Sequence, residues 1–431
     1  MGKLSRKEMK ICIVGAGSTY SPEFVDGILR REGEMCVKEL VLMDINAERL
    51  AAVGGLIRRI CGTFAKPPKV TLTEDLQEAV IDADYVVTQF RVGMLPARAK
   101  DERIPLKFGI IGQETTGPGG FAKALRTIPK ILDITSCMEK YAPNAMLINF
   151  TNPSGIITEA VMKYSSVPVV GLCNGPITIS MRINEIMGWE KSDVFYDYFG
   201  LNHLGFIKGI YLKGSNVSDE VFEKILDHPK CDYMIGYKFN KKHVQAMKIL
   251  PVGYLQYYFN EKEAFEKLNA LPLTRAEQLI DVDAQLLVEY SDPNLKTKPP
   301  GLEQRGGAWY SEVAVALINS FQNDDGATHV INTKNNGTIS DLPDDAVIEI
   351  PAIVRGDSIR TLELGRLPLE VCGIIQHVKA YESLTVKAGA EQSYNAALAA
   401  LMSHPFMRSA DDAEKILDEI IEAHPEYIKL T

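Results

Sequence analysis

KICIVGAGSTY, residues 10–20, decides the fold. Ile11, Cys12, Ile13 and Val14 form a short unbroken apolar run, which suits a strand covered on both faces. A glycine-rich turn follows at once, and a helical pattern begins at residue 21. Gly15 and Gly17 permit a tight turn and close backbone approach to a pyrophosphate. Ser18, Thr19 and the N–H groups of the helix beyond them can then hold its oxygens. Position 20 is tyrosine where the usual fingerprint has a third glycine, so the motif is incomplete. Its context supplies the rest. The strand over 39–45 carries Asp44, 27 residues beyond Gly17 (44 − 17). That is the place of the carboxylate that meets the ribose hydroxyls and favours NAD over NADP. The plainer alternative is a simple turn with Asp44 as a helix cap.

Strands are expected outward from this unit over 69–73, 85–90, 145–151 and 168–173, with helices over 21–32, 47–64, 120–141 and 153–164. Strands spaced by helices predict an α/β fold with a Rossmann-type parallel sheet over residues 1–200. The second half, 201–431, reads as a mostly helical α+β domain for substrate, metal and oligomer contacts. Helices are expected there over 219–250, 262–290, 307–322 and 368–425, and strands over 328–339 and 346–354.

The chain has 431 residues, 46% hydrophobic and 24% charged, which suits a globular protein with a full core. Its net charge of −9 speaks against a nucleic-acid partner. No apolar run approaches the roughly 18 residues of a membrane span. The seven cysteines are scattered without a CxxC pair, which predicts a reducing, cytoplasmic setting. The opening MGKLSRKEMK has no apolar signal core, and Arg6 breaks a myristoylation pattern.

Cys173 in GLCNGP follows the last parallel strand, at the sheet edge where open α/β proteins bind ligands. His203 lies in FGLNHLGF, among small and polar residues. A thiolate and an imidazole can share a first-row metal. With only two protein ligands such a site would be catalytic, because water or substrate must complete it. Taken singly, a strand cysteine is more often a small buried hydrophobe, and a histidine a local hydrogen-bonding group.

The segments VGAGSTYSPEF, RVGMLPARAKDERIPLKFGIIGQETTGPGGFAKALRTIP, INFTNPSG, VGLCN, FGLNHLG and YLQYY resemble glycoside hydrolase family 4 over about the first 275 residues. GGAWYSEVA and the strands after it are compatible with the family but less distinctive. The resemblance implies a lactate/malate dehydrogenase-like fold and a glycosidase that uses NAD and a divalent metal, typically Mn²⁺. It stands outside the usual two-carboxylate scheme. The implied chemistry is oxidation at sugar C3, deprotonation at C2, elimination at C1, water addition and return of the hydride. By motif, Cys173 and His203 would bind the metal and Tyr254 would be the C2 base. Glu114 would raise that tyrosine's basicity. Arg98, Asn152, Asn174 and Arg275 would contact the sugar or its phosphate. Tyr257 and Tyr258 are rival bases, more simply read as aromatic core.

Asn174 follows Cys173, where family phospho-α-glucosidases resemble an Asp general acid and galactosidase-like members carry His. Asn cannot donate a proton as an acid, and CN resembles the 6-phospho-β-glucosidases. The expected substrate is a β-linked disaccharide 6-phosphate such as cellobiose 6-phosphate, and the expected assembly a homodimer or homotetramer. A 6-phospho-α-glucosidase or α-galactosidase of the same family is the nearest alternative. An NAD-dependent 2-hydroxyacid dehydrogenase would need a His–Arg pair not found in the expected neighbourhood. A non-catalytic NAD sensor would leave the metal and base residues without purpose.

Overall fold

The computed structural model describes residues 8–229, 239–305 and 310–431. Cys231, the middle of the expected helix 219–250, and the start of both GGAWYSEVA and the expected helix 307–322 lie outside the described residues. Strands β1 (Met9–Val14), β2 (Val37–Met43), β3 (Lys69–Thr73), β4 (Tyr85–Thr88), β5 (Met146–Asn149) and β6 (Val169–Gly171) form parallel neighbours in the order β3-β2-β1-β4-β5-β6. That is the doubly wound dinucleotide-binding order, with its reversal between β1 and β4. The intervening helices include α1 (Ser21–Arg30), α2 (Ala47–Cys61), α3 (Leu76–Val80), α4 (Met94–Leu106), α5 (Gly117–Tyr141) and α6 (Ser154–Tyr164). Helix α7 (Gly175–Met187) follows β6.

Alternation along β1 divides the core. Ile11 and Ile13 join one buried apolar cluster with Leu40, Leu42 and Val87, and Cys12 and Val14 join the other with Val86 and Leu147. Both faces are therefore covered, and each fully buried Ile or Leu contributes roughly 1.5–3 kcal/mol.

Four further strands form a separate antiparallel sheet. β7 (Val194–Leu201) and β8 (Leu204–Leu212) form an antiparallel hairpin, and β9 (Ser215–Asn216) and β10 (Leu250–Pro251) pair along β8. By contrast β11 (Thr328–Lys334), β12 (Val347–Arg355) and β13 (Ser358–Thr361) extend the main sheet to nine strands, with β11 antiparallel to β6 through Asn332 and Gly171. The two halves thus share one sheet, and the expected boundary at residue 200 falls inside β7. The expected helix 262–290 is two helices, Glu261–Asn269 and Arg275–Tyr290. Pro272 lies in the break, and a capping box between Thr274 and Glu277 starts the second. Helices α4 and α7 and the β7–β8 hairpin carry no strong periodic signal and were not expected from the sequence. Among the described residues no helix is long and apolar enough to cross a membrane.

Candidate active site

The nucleotide turn is built as its residue types require. Gly15 sits at φ +88°, and a Cβ there would lie 2.8 Å from the backbone of Phe90. At Gly17 a Cβ would meet the Asp44 carboxylate at 2.8 Å. Gly17 N donates to Asp44 Oδ2 at 2.8 Å and Asn46 N donates to Oδ1 at 2.9 Å, which fixes the carboxylate at the end of β2. Ile45, the next residue, is 85% exposed. An oriented acid beside an uncovered apolar side chain fits the ribose and adenine of a dinucleotide. Ser18 Oγ accepts from Tyr20 N at 3.3 Å and closes the turn.

Thr19, expected at the nucleotide, is turned elsewhere. Its buried hydroxyl donates to Asp283 Oδ1 at 2.7 Å and accepts from Arg305 Nε at 2.6 Å, and its carbonyl accepts from Tyr290 OH at 2.7 Å. Arg49 links Gly17 O (3.0 Å) to Asp283 Oδ2 (2.7 Å). Thr19 therefore anchors the turn to the helix Arg275–Tyr290, a role invisible locally because its partners lie more than 260 residues away.

The two candidate metal ligands meet. Cys173 follows β6, and His203 sits at the tip of the β7–β8 hairpin in the left-handed region, at φ +64°. Cys173 Sγ and His203 Nε2 lie 3.6 Å apart. Donors bonding one ion at about 2.3 Å and about 2.0 Å can be at most about 4.3 Å apart, so the pair fits a shared divalent ion. Among the described residues no third His, Cys, Asp or Glu completes a three-ligand group. Burial and the Lys123 charge push His203 down to about 3, which keeps its imidazole neutral and able to bind metal. Burial and the Glu349 carboxylate push the Cys173 thiol up, opposed by the Gly175 N–H, so the thiolate needs a cation beside it. His203 Nδ1 is buried without a protein partner, a polar atom that calls for water or ligand.

Tyr254 stacks on His203, ring centroids 4.3 Å apart at 30°. Burial raises its phenol well above the ordinary range, and the Cys173 and Glu114 charges raise it further, while Arg98 opposes them. Glu114 acts on the Tyr254 ring through its field. Its carboxylate is ion-paired to Arg91, to Lys123 Nζ at 2.9 Å and to Arg98 Nη1 at 2.9 Å. Burial alone would raise Glu114, but the three cations hold it well below the carboxylate range. Burial and Arg91 push Lys123 down to about 7. Arg98 also donates to Glu102 Oε1 at 2.7 Å.

Asn152 is buried at its Oδ1, which has no protein partner, and a cis peptide joins it to Pro153. Asn174 is the N-cap residue of α7 and makes no side-chain cap hydrogen bond. Arg275 is exposed at the start of its helix, its Nη2 donating to Gln304 O at 2.8 Å. Tyr258 packs against Phe406 at 4.8 Å, in keeping with an aromatic core residue, whereas Tyr257 lies edge-on to Tyr254 at 6.2 Å. Sequence reasoning missed Arg91 and Lys123, although both sit in the RVGMLPARAK–GFAK stretch that carries Arg98 and Glu114.

The model of family 4 glycosyl hydrolases matches residues 10–189, and that of the family's C-terminal domain matches residues 198–407. A relative in Bacillus subtilis, named a probable 6-phospho-β-glucosidase, is 43% identical over 98% of this chain and 98% of its own length. The solved 6-phospho-β-glucosidase of Thermotoga maritima with manganese, NAD⁺ and glucose 6-phosphate superposes with a TM-score of 0.91. It is 40% identical and covers 98% of this chain and 100% of its own. Malate dehydrogenase of Cryptosporidium parvum shares the fold at a TM-score of 0.56 and 13% identity, covering 89% of this chain and 100% of its own. The dinucleotide turn, the Cys173–His203 pair and matches spanning both halves lead to one conclusion: the chain belongs to the family 4 glycosyl hydrolases.

Proposed function

We propose that this protein is an NAD- and divalent-metal-dependent 6-phospho-β-glucosidase, cleaving β-linked glucoside 6-phosphates such as cellobiose 6-phosphate. The observation that carries the reading is the Cys173 Sγ–His203 Nε2 approach of 3.6 Å with Tyr254 stacked on the imidazole. The relatives named as 6-phospho-β-glucosidases, at 36–43% identity along the whole chain, support the anomeric and phosphate assignment. Free cysteines support a reducing cytoplasm, and a homodimer or homotetramer is part of the same reading.

When bound, NAD would take a hydride from sugar C3 and later give it back, and a divalent ion held by Cys173 and His203 would supply Lewis acidity to the sugar oxygens. Asp44 would hold the adenosine ribose of the dinucleotide. Tyr254, once ionised, takes the proton from C2, which the neighbouring ketone has acidified. The electron pair left at C2 expels the C1 oxygen as the aglycone leaves. Water adds at C1, Tyr254 returns a proton to C2, and the released sugar is glucose 6-phosphate. Asn152 Oδ1, lacking a protein donor, is available to accept from a sugar hydroxyl. Asn174 contributes hydrogen bonds but no proton, so the leaving oxygen takes its proton from water. Arg91, Arg98 and Lys123 surround Glu114, and Glu102 pairs with Arg98 as well. The cationic side chains favour the negative charge that develops on the sugar and the charge on the substrate phosphate.

Hydrolysis of p-nitrophenyl β-D-glucopyranoside 6-phosphate, with NAD⁺ and Mn²⁺ omitted in turn, tests this. Cleavage that needs both is expected, without net accumulation of NADH. Activity only on the α-anomer would overturn the reading of Asn174, and net NADH formation would indicate a dehydrogenase.

A further inference from the structure

We propose that Glu349 is a positioning residue that sets the spacing of Cys173 and His203; the proposal rests on reading that pair as metal ligands. Glu349 lies on β12 and is 1% exposed. Its carboxylate accepts three hydrogen bonds. Oε2 accepts from Tyr198 OH at 2.6 Å, and Oε1 accepts from Asn202 Nδ2 and Asn332 Nδ2, each at 3.0 Å. The donors come from β7, the hairpin tip and β11. One buried acid therefore ties the hairpin that presents His203 to β11 and β12 of the main sheet.

Asn202 is the link to both ligands. It immediately precedes His203, its Oδ1 accepts from Gly155 N at 3.2 Å, and its side chain also hydrogen-bonds Cys173. His203 is not glycine yet sits at φ +64°, a conformation that persists only where the surroundings determine it. The amide held between Glu349, α6 and Cys173 is that determinant.

Three glycines leave room for the three donors, and each belongs to a motif whose glycine has no part in the chemistry. A Cβ at Gly205 would overlap the Tyr198 hydroxyl. One at Gly171 would lie 2.8 Å from Asn332 Cβ, and one at Gly155 would lie 3.0 Å from Asn202 Cβ. The small residues of FGLNHLG, VGLC and NPSG thus converge on one carboxylate. Partners that orient metal ligands in this way typically alter metal affinity about 10- to 100-fold when removed.

The test loads reduced wild-type protein, Glu349→Leu and Glu349→Gln with Co²⁺. It measures the dissociation constant together with the thiolate-to-cobalt charge-transfer absorption. Leucine fills the volume but accepts no hydrogen bond, so affinity is expected to fall about 10- to 100-fold and the band to weaken or shift. Glutamine keeps an oxygen for Asn202 and Asn332, and its amide can donate to the Tyr198 hydroxyl, so it is expected to restore both readouts. Should the leucine variant fail to fold, Tyr198→Phe and Asn202→Ala each remove one arm of the frame and are expected to weaken the band. Wild-type affinity and absorption in Glu349→Leu, or equal loss in Glu349→Gln, would overturn the proposal. Absence of the band in wild type would instead overturn the reading of Cys173 as a ligand.

Discussion

Replacing Glu114 by Gln isolates the charge at the centre of the site. The side chain keeps its shape and one oxygen for its donors, but Arg91 and Lys123 lose their counter-charge and Arg98 keeps only Glu102. Glu114 is 17% exposed, Lys123 3% and Arg98 9%, so solvent screens the cluster poorly. A unit pair at 2.9 Å carries about 6 kcal/mol of Coulomb energy at an effective dielectric of about 20, before desolvation is set against it. Removing one member of a buried pair destabilises by about 3–5 kcal/mol in practice, because the other charges remain buried and uncompensated. The variant is therefore expected to lose about 3–5 kcal/mol in urea unfolding followed by circular dichroism. The double variant with Lys123→Met is expected to recover more than about 1 kcal/mol of this, since the two sites are coupled. Added inorganic phosphate is expected to stabilise Glu114→Gln more than wild type, because the three cations then gain an anion. A loss below about 1 kcal/mol, or a double variant no more stable than Glu114→Gln, would refute the account of a tightly coupled cluster.

Tyr254→Phe is expected to lower kcat about 10²- to 10⁴-fold and to abolish exchange of the C2 hydrogen with deuterated solvent; retained exchange would assign the base elsewhere. Cys173→Ser is expected to weaken Mn²⁺ binding measured by calorimetry, and peroxide to inactivate the wild type reversibly; unchanged metal affinity would contradict the ligand role. Asp44→Ala is expected to weaken NAD binding and to narrow the preference over NADP, read from the two dissociation constants by fluorescence. Glu159 responds to acid. Burial would raise it, but Lys379 and Lys163 hold it down at about 2. Its folded value lies below the unfolded one, so its stabilisation is complete above about pH 4.5 and is lost as pH falls towards about 2. Glu159→Gln should flatten the stability profile between those values, and an unchanged profile would rule the ion pairs out as its cause.

The six parallel strands were legible because they are short strand-like runs separated by helix-period segments, and those signals are local. Cys173 and His203 stood out as a pair only through the resemblance, since taken singly a strand cysteine reads as a small buried hydrophobe and a histidine as a local hydrogen-bonding group. What the sequence could not disclose are relations among residues remote along the chain. Thr19 reads as a nucleotide contact beside its glycines, yet Asp283 and Arg305 claim its hydroxyl across the fold. β11–β13 read as part of a second domain, but Asn332 pairs with Gly171 and the strands complete the first sheet. Lys123 looks like one more helix lysine until folding buries it against Glu114. Glu349 has no local signature at all, because its meaning lies in three donors from three other segments. The sequence by itself determined the strands and several helices of the parallel sheet and its glycine-rich turn, since periodicity and turn residues act within a few positions. Only the tertiary structure decided which buried charges and amides face one another, because a buried polar group takes its partner from whatever the packing brings within 3 Å.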